Sequence, residues 1–103
     1  RQPIYITENG KSCHDEISAD GHVHDTERIN YINGYLKGLK KSVLEGTDVA
    51  GYFHWSLMDN FEWAYGYTER FGLTYVDYKT QKRILKDSAY RYNEIIRTNG
   101  ADL

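Results

Sequence analysis

The chain is 103 residues long, with 13 Lys and Arg against 15 Asp and Glu, so its formal net charge is −2. Acids and bases are mixed along it, which leaves no basic surface for nucleic acid or an anionic membrane. No apolar run approaches the ~20 residues of a membrane span, and the single Cys13 excludes an internal disulfide.

Residues 3–8, Pro-Ile-Tyr-Ile-Thr-Glu, read as a short buried strand. Pro3 is tolerable at its first position, where only an N–H is lost, and Asn9-Gly10 supplies turn chemistry at its end. Residues 11–25 are rich in Gly, Ser and Asp and carry His14, His22 and His24. Their spacing matches no strong ligand signature, so they read as a solvated loop rather than a metal site. Cys13, with no activating environment legible, reads as an inert thiol.

A helix is expected from Asp25 or Thr26, either of which could cap it. Ile29, Ile32, Leu36, Leu39 and Val43 recur at spacings of three and four and form one apolar stripe. Lys40 and Lys41 suit its C-terminal half, and Gly46 is a stop. Gly34 and Gly38 each weaken the helix by up to ~1 kcal/mol relative to Ala; their four-residue spacing would permit close packing on a neighbour. Val49–Trp55 reads as a second strand, apolar until His54, as suits a parallel strand covered on both faces. Residues 56–70 read as a long loop and Phe71–Tyr78 as a short extended segment, with a turn at Thr80-Gln81. Asp87 or Ser88 then caps a last helix through Arg97, closed by Asn99-Gly100, with Ala89, Tyr92, Ile95 and Ile96 on its apolar side. Most of the ten tyrosines are assigned to packing, the commoner use of an apolar body with a polar tip.

The order strand, helix, strand, helix makes two βα units, because parallel strands need a crossover and a helix supplies one. Two stretches leave the ends of these strands carrying unusual chemistry. Glu8 ends the first. Trp55-Ser56-Leu57-Met58-Asp59-Asn60-Phe61-Glu62-Trp63 leaves the second and holds both tryptophans of the chain. An indole offers a flat apolar face and one N–H donor. A pyranose offers C–H groups on its faces and hydroxyls at its rim, so carboxylate plus indole suits a sugar. A buried aromatic cluster with a solvated acid is the alternative reading of the same residue types.

Ile4-Tyr5-Ile6-Thr7-Glu8-Asn9-Gly10 resembles the nucleophile segment of glycoside hydrolase family 1, the β-glucosidase and β-galactosidase family. Gly51–Trp63 resembles its sugar-binding segment; Tyr67–Leu73 and Tyr75–Tyr78 continue the match, and Lys86–Tyr90 resembles the start of its last helix. The resemblance implies that residues 1–103 are the C-terminal part of one (β/α)8 TIM barrel: strand 7, helix 7, strand 8, helix 8. A typical barrel needs ~250 residues, so the barrel is incomplete in this chain, and its open strand edges call for a partner, either the remainder of the barrel or another copy.

The resemblance further implies a retaining β-glycosidase acting on a β-glycoside or oligosaccharide through a covalent glycosyl-enzyme. Glu8 would be the nucleophile. Trp55 would line the sugar subsites, Glu62 would accept hydrogen bonds from hydroxyls of the non-reducing sugar, Trp63 would donate from its indole N–H, and Phe71 would wall the same pocket. Retaining enzymes need a second carboxyl ~5–5.5 Å from the first. The family supplies it from an Asn-Glu-Pro segment, which does not occur here; Asn93-Glu94 is followed by Ile95. Phospho-sugar members carry Ser where Glu62 stands, so Glu62 implies a neutral glycone, glucose or galactose. Arg91 stands where the family often has an aromatic and reads as a surface variation. No metal ligand and no cofactor are implied. Because some relatives have lost a catalytic carboxylate, a non-catalytic sugar-binding or interaction fragment stands as the competing reading.

Overall fold

The structure, a computed structural model, describes residues 2–103. Two parallel strands, β1 (Ile4–Asn9) and β2 (Val49–His54), are joined by the helix α1 (Thr26–Leu44). A short 3-10 turn, Trp63–Tyr65, leads to an antiparallel hairpin of β3 (Thr74–Val76) and β4 (Arg83–Leu85), and α2 (Asp87–Arg97) closes the chain. The two expected βα units are therefore present, and the described residues close no barrel. β4 was not expected: it lies beyond the turn at Thr80-Gln81, outside the Phe71–Tyr78 stretch read as extended, of which its partner β3 covers only Thr74–Val76.

Ile32 and Leu36 of α1 meet Ile95 of α2 and Leu73 in one core, with Leu39, Tyr52, Ala89, Tyr92 and Leu103 packed around it. The ends of the apolar sides stay open: Val43 is 47% exposed and Ile96 63%. The sheet is equally uncovered. Both strands were expected to be buried, yet Ile4, Tyr5 and Phe53 are about half exposed. The molecule measures 47 × 31 × 18 Å. A wedge this thin covers a two-stranded sheet on one side only. Gly34 and Gly38, where close packing was anticipated, have no atom within 4 Å of the space a Cβ would fill.

Helix starts follow a different logic from the one the sequence suggests. Asp25 is the N-cap of α1, but its side chain makes no capping hydrogen bond there. Its carboxylate turns to α2 instead, accepting from the Ser88 N–H at 2.9 Å and from the Ser88 hydroxyl. The residue preceding α2 is Lys86, which provides no side-chain cap either. Asp25 thus satisfies an orphan donor of the second helix from the start of the first.

The reason lies in a buried charge network. Arg28, wholly buried on α1, donates to Asp25, to Asp15 and to the carbonyls of Lys11 and Arg70. Lys86, also wholly buried, donates to Asp15 at 2.6 Å and to Asp59 at 2.8 Å. Asp59 further accepts from Arg70 at 2.6 Å and from the backbone N–H groups of Gly72 and Val76. Arg70 lies against the rings of Tyr75 and Tyr78, 4.1 and 4.7 Å from their centroids. Asp15, Asp25 and Asp59 thus balance Arg28, Lys86 and Arg70. Arg91, read as a surface variation, is a tether as well: it donates to Asn33 of α1 at 2.8 Å and pairs with Asp102.

Removing one ion from a buried set leaves its partners charged and unpaired, which costs about 3–5 kcal/mol. Arg28→Met is expected to lower unfolding free energy by that amount, measured by urea denaturation, with Arg28→Lys losing less. A loss under ~1 kcal/mol would show that Asp15 and Asp25 reach water when Arg28 is gone.

Candidate active site

β1 and β2 run parallel, so their C-terminal ends lie side by side, with Asn9 opposite His54. Glu8 is the penultimate residue of β1, which runs one residue further than expected, and Trp55 follows β2 directly. The Trp55 N–H donates to the Asn9 carbonyl at 2.9 Å, extending the pairing one residue beyond the strand. A side chain at Gly10 would overlap the Trp55 carbonyl oxygen, so the two chains approach closely only because residue 10 is glycine.

The stretch after β2 is held by backbone pairing to the segment before β3. Ser56 donates to the Phe71 carbonyl at 3.0 Å and accepts from the Leu73 N–H at 2.9 Å, and Thr74 donates to Leu57 at 3.0 Å. Phe71 is thereby fixed beside Trp55. A turn then presents Glu62 and Trp63: the Glu62 N–H donates to Gly66 at 2.7 Å, and Tyr65 donates back to Glu62 at 2.9 Å. Trp63 takes φ of 46°, in the left-handed region that few non-glycine residues occupy. The residue is 82% exposed.

These pieces enclose an open cleft of about 460 Å³ lined by Glu8, Asn9, Gly10, Tyr31, Trp55, Glu62, Trp63 and Phe71. All five residues singled out from the sequence, Glu8, Trp55, Glu62, Trp63 and Phe71, border this one cavity. The Trp55 indole N–H faces the Glu62 carboxylate at 3.4 Å, a long contact that orients the two groups toward each other. Asn9 and Tyr31 were missed as lining residues. Asn9 read as a turn former, and Tyr31 lies off the apolar stripe of α1 in a chain where tyrosines are too many to single one out. The arrangement offers two carboxylates, two indoles and a phenyl ring around a cavity open to solvent, which suits a polyhydroxylated ring better than an apolar or anionic ligand.

The histidines of the 11–25 loop take no part in the cleft. His24 lies between Asp87 and Asp20, 2.7 Å from each, and these contacts raise its pKa to about 8. Among the described residues no three His, Cys, Asp or Glu side chains could hold a metal ion together. His54, at the end of β2, differs. Its ring packs 5.7 Å from Tyr92, and neither ring nitrogen has a partner. Burial, with the Arg28 charge adding to it, lowers its pKa to about 4.

Residues 1–101 match the sequence model of glycosyl hydrolase family 1. The chain is 52% identical over 99 residues to Beta-glucosidase A of Thermotoga maritima, across 96% of this chain and 22% of that protein. It is also 52% identical over 103 residues to a bifunctional beta-D-glucosidase/beta-D-fucosidase of Bifidobacterium breve, again over 96% and 22%. Among solved structures, the Thermotoga maritima β-glucosidase in complex with castanospermine superposes with a TM-score of 0.94 at 53% identity, over 95% of this chain and 22% of that one. The chain thus spans about a fifth of the length of these relatives.

A histidine kept neutral by burial makes stability depend on pH in a defined direction. The unfolded chain protonates His54 near its ordinary value of 6.5 and the folded one only near 4. The contribution of neutral His54 is therefore complete above 6.5 and is lost as pH falls from 6.5 to about 4. His54→Phe is expected to flatten the fall in unfolding free energy across that window. A slope identical to that of the parent would show that the buried imidazole is not what acid attacks.

Proposed function

This chain belongs to glycosyl hydrolase family 1, and from that premise we propose that it forms the nucleophile side of a retaining β-glycosidase that acts on terminal, neutral β-glucosyl or related residues. One observation carries the reading: Glu8, Trp55, Glu62, Trp63 and Phe71 come from separate stretches of the chain and border one cleft at the C-terminal ends of two parallel strands. That is the end of a (β/α)8 barrel at which active sites are built. Relatives of the same family are named as β-glucosidases.

In the proposed reaction, Glu8 attacks the anomeric carbon and forms a glycosyl ester as the leaving oxygen takes a proton from a second carboxyl. Water, deprotonated by that second group, then releases the sugar. The family's Asn-Glu-Pro segment, the source of that group, does not occur in the sequence. The acid/base therefore comes from outside residues 1–103, and the chain alone is inactive. We place β1, α1, β2 and α2 as strand 7, helix 7, strand 8 and helix 8 of the barrel. Its remainder is the partner of the half-exposed strands; a second copy is the alternative cover. Glu62 and Trp63 hold the outer hydroxyls of the glycone, so that binding energy is spent on orienting the anomeric carbon before Glu8.

In the complete barrel, Glu8→Ala is expected to abolish hydrolysis of aryl β-glucosides, with azide restoring turnover by entering the space left by the carboxylate and yielding the α-glycosyl azide. Undiminished hydrolysis by Glu8→Ala would remove Glu8 from the mechanism and favour a binding role for the chain. Glu62→Ser should lower kcat/KM on glucosides by at least the ~1.5–3 kcal/mol of a charged hydrogen bond. It should also raise the efficiency on 6-phosphoglucosides relative to glucosides, because a repelling charge is gone. An unchanged ratio of the two efficiencies would show that Glu62 does not face the glycone.

A further inference from the structure

From Ile6 to Asn9, β1 advances three residues while β2 advances two, from Tyr52 to His54. The extra residue makes a bulge-like irregularity in the register; such irregularities re-aim side chains a regular strand would send elsewhere. In a regular strand Ile6 and Glu8 would share a face. Here Ile6 lines a groove along α1 beside Tyr31 and Gly34, while Glu8 lines the cleft. The register shift falls between Ile6 and Asn9, on the segment that carries Glu8.

Asn9 follows directly, and it is gripped three ways. Its backbone carbonyl accepts from the Trp55 N–H at 2.9 Å. Its side-chain amide donates to the Tyr31 hydroxyl of α1 at 3.1 Å. Its side-chain carbonyl accepts from the Tyr52 hydroxyl of β2 at 2.9 Å. Burial raises the pKa of Tyr52, with Tyr92 and Tyr31 adding to the shift, so that hydroxyl keeps the proton it donates. A bulge interrupts the ladder of backbone hydrogen bonds, and side-chain bonds are what remains to select one backbone conformation within it. Both phenols are fixed: Tyr52 packs on the core, and the Tyr31 ring lies 4.4 Å from that of Tyr35.

We infer that Tyr52, Asn9 and Tyr31 form a clamp that pins the β1 bulge and thereby sets the angle at which Glu8 meets the sugar, which makes Asn9 and Tyr52 positioning residues. The inference rests on the reading of Glu8 as nucleophile. A displacement of the reacting carboxylate on the order of 1 Å is enough to cost ~100-fold in rate, while Glu62 and Trp63 go on binding the glycone.

The test uses the complete barrel containing this chain and compares Asn9→Ala, Tyr52→Phe, the double variant and Glu8→Ala on one aryl β-glucoside, below the thermal midpoint of every variant. Asn9→Ala is expected to lower kcat by at least about tenfold with KM nearly unchanged, the signature of a lost alignment rather than lost binding. Tyr52→Phe, which removes one oxygen and leaves the core filled, should move kcat the same way. The double variant should be no slower than Asn9→Ala, because both act through one clamp. Multiplying losses in the double variant, or kcat within about twofold of the parent for both single variants, would overturn the clamp provided Glu8→Ala is inactive. An active Glu8→Ala enzyme would instead overturn the reading of Glu8 itself. Should Asn9→Ala fail to fold, Tyr52→Phe alone decides by the same kcat criterion.

Discussion

The segments of this chain are tied to one another by a set of ion pairs among Asp15, Asp25, Arg28, Asp59, Lys86 and the partly buried Arg70. The apolar core is small, its main cluster holding four buried residues with a partly exposed surround, and the parallel sheet has two strands. A structure so thin lacks the buried apolar area that normally fixes the relation of one segment to the next. The ion network supplies that relation. It joins the 11–25 loop through Asp15, the start of α1 through Arg28, the stretch after β2 through Asp59, and the start of α2 through Lys86. Its charges balance and every carboxylate named accepts more than one bond, the condition under which buried ions hold geometry instead of opening to water.

The consequence reaches the cleft through Asp59. That carboxylate lies three residues before Glu62 and accepts from Gly72, one residue after Phe71. A side chain at Gly72 would overlap the backbone around Asp59, so the two strands of this corner can close only on glycine. Glu62, Trp63 and Phe71 are thus presented from a corner whose anchor is ionic and dry. Glu8 is presented differently, from a bulged strand end whose side-chain bonds are neutral. The two halves of the cleft meet at the Trp55–Asn9 backbone bond. The groups proposed to hold the sugar and the carboxylate proposed to attack it therefore rest on separate supports.

Local pattern was enough for the βα order, the positions of α1 and α2 and the two stretches that border the cleft. Those features depend on neighbours a few residues apart, such as the spacing of Ile32, Leu36 and Leu39; Asn9, expected to turn, instead ends β1. The long motifs, in family order, tie Glu8 to Glu62 by resemblance. Illegible features all required knowing what lies across a gap of tens of residues. The bulge is a difference between two strands' registers, and neither strand carries it alone. β4 is a strand only because β3 lies beside it. Asp25 looks like a cap of its own helix and serves another 63 residues away. Lys86 and Asp15, read singly, are ordinary surface residues; only their mutual placement, 71 residues apart in sequence, makes them an interior pair.

The most direct measurement of the central claim is covalent. A 2-deoxy-2-fluoro-β-glucosyl fluoride slows release of the glycosyl-enzyme, so the complete barrel treated with it retains the sugar on its nucleophile. Peptide mass mapping of the trapped protein should find one fluoroglucosyl group, on Glu8, in the peptide spanning Ile4 to Lys11. A label on any other residue, or inactivation without a label, would contradict the account.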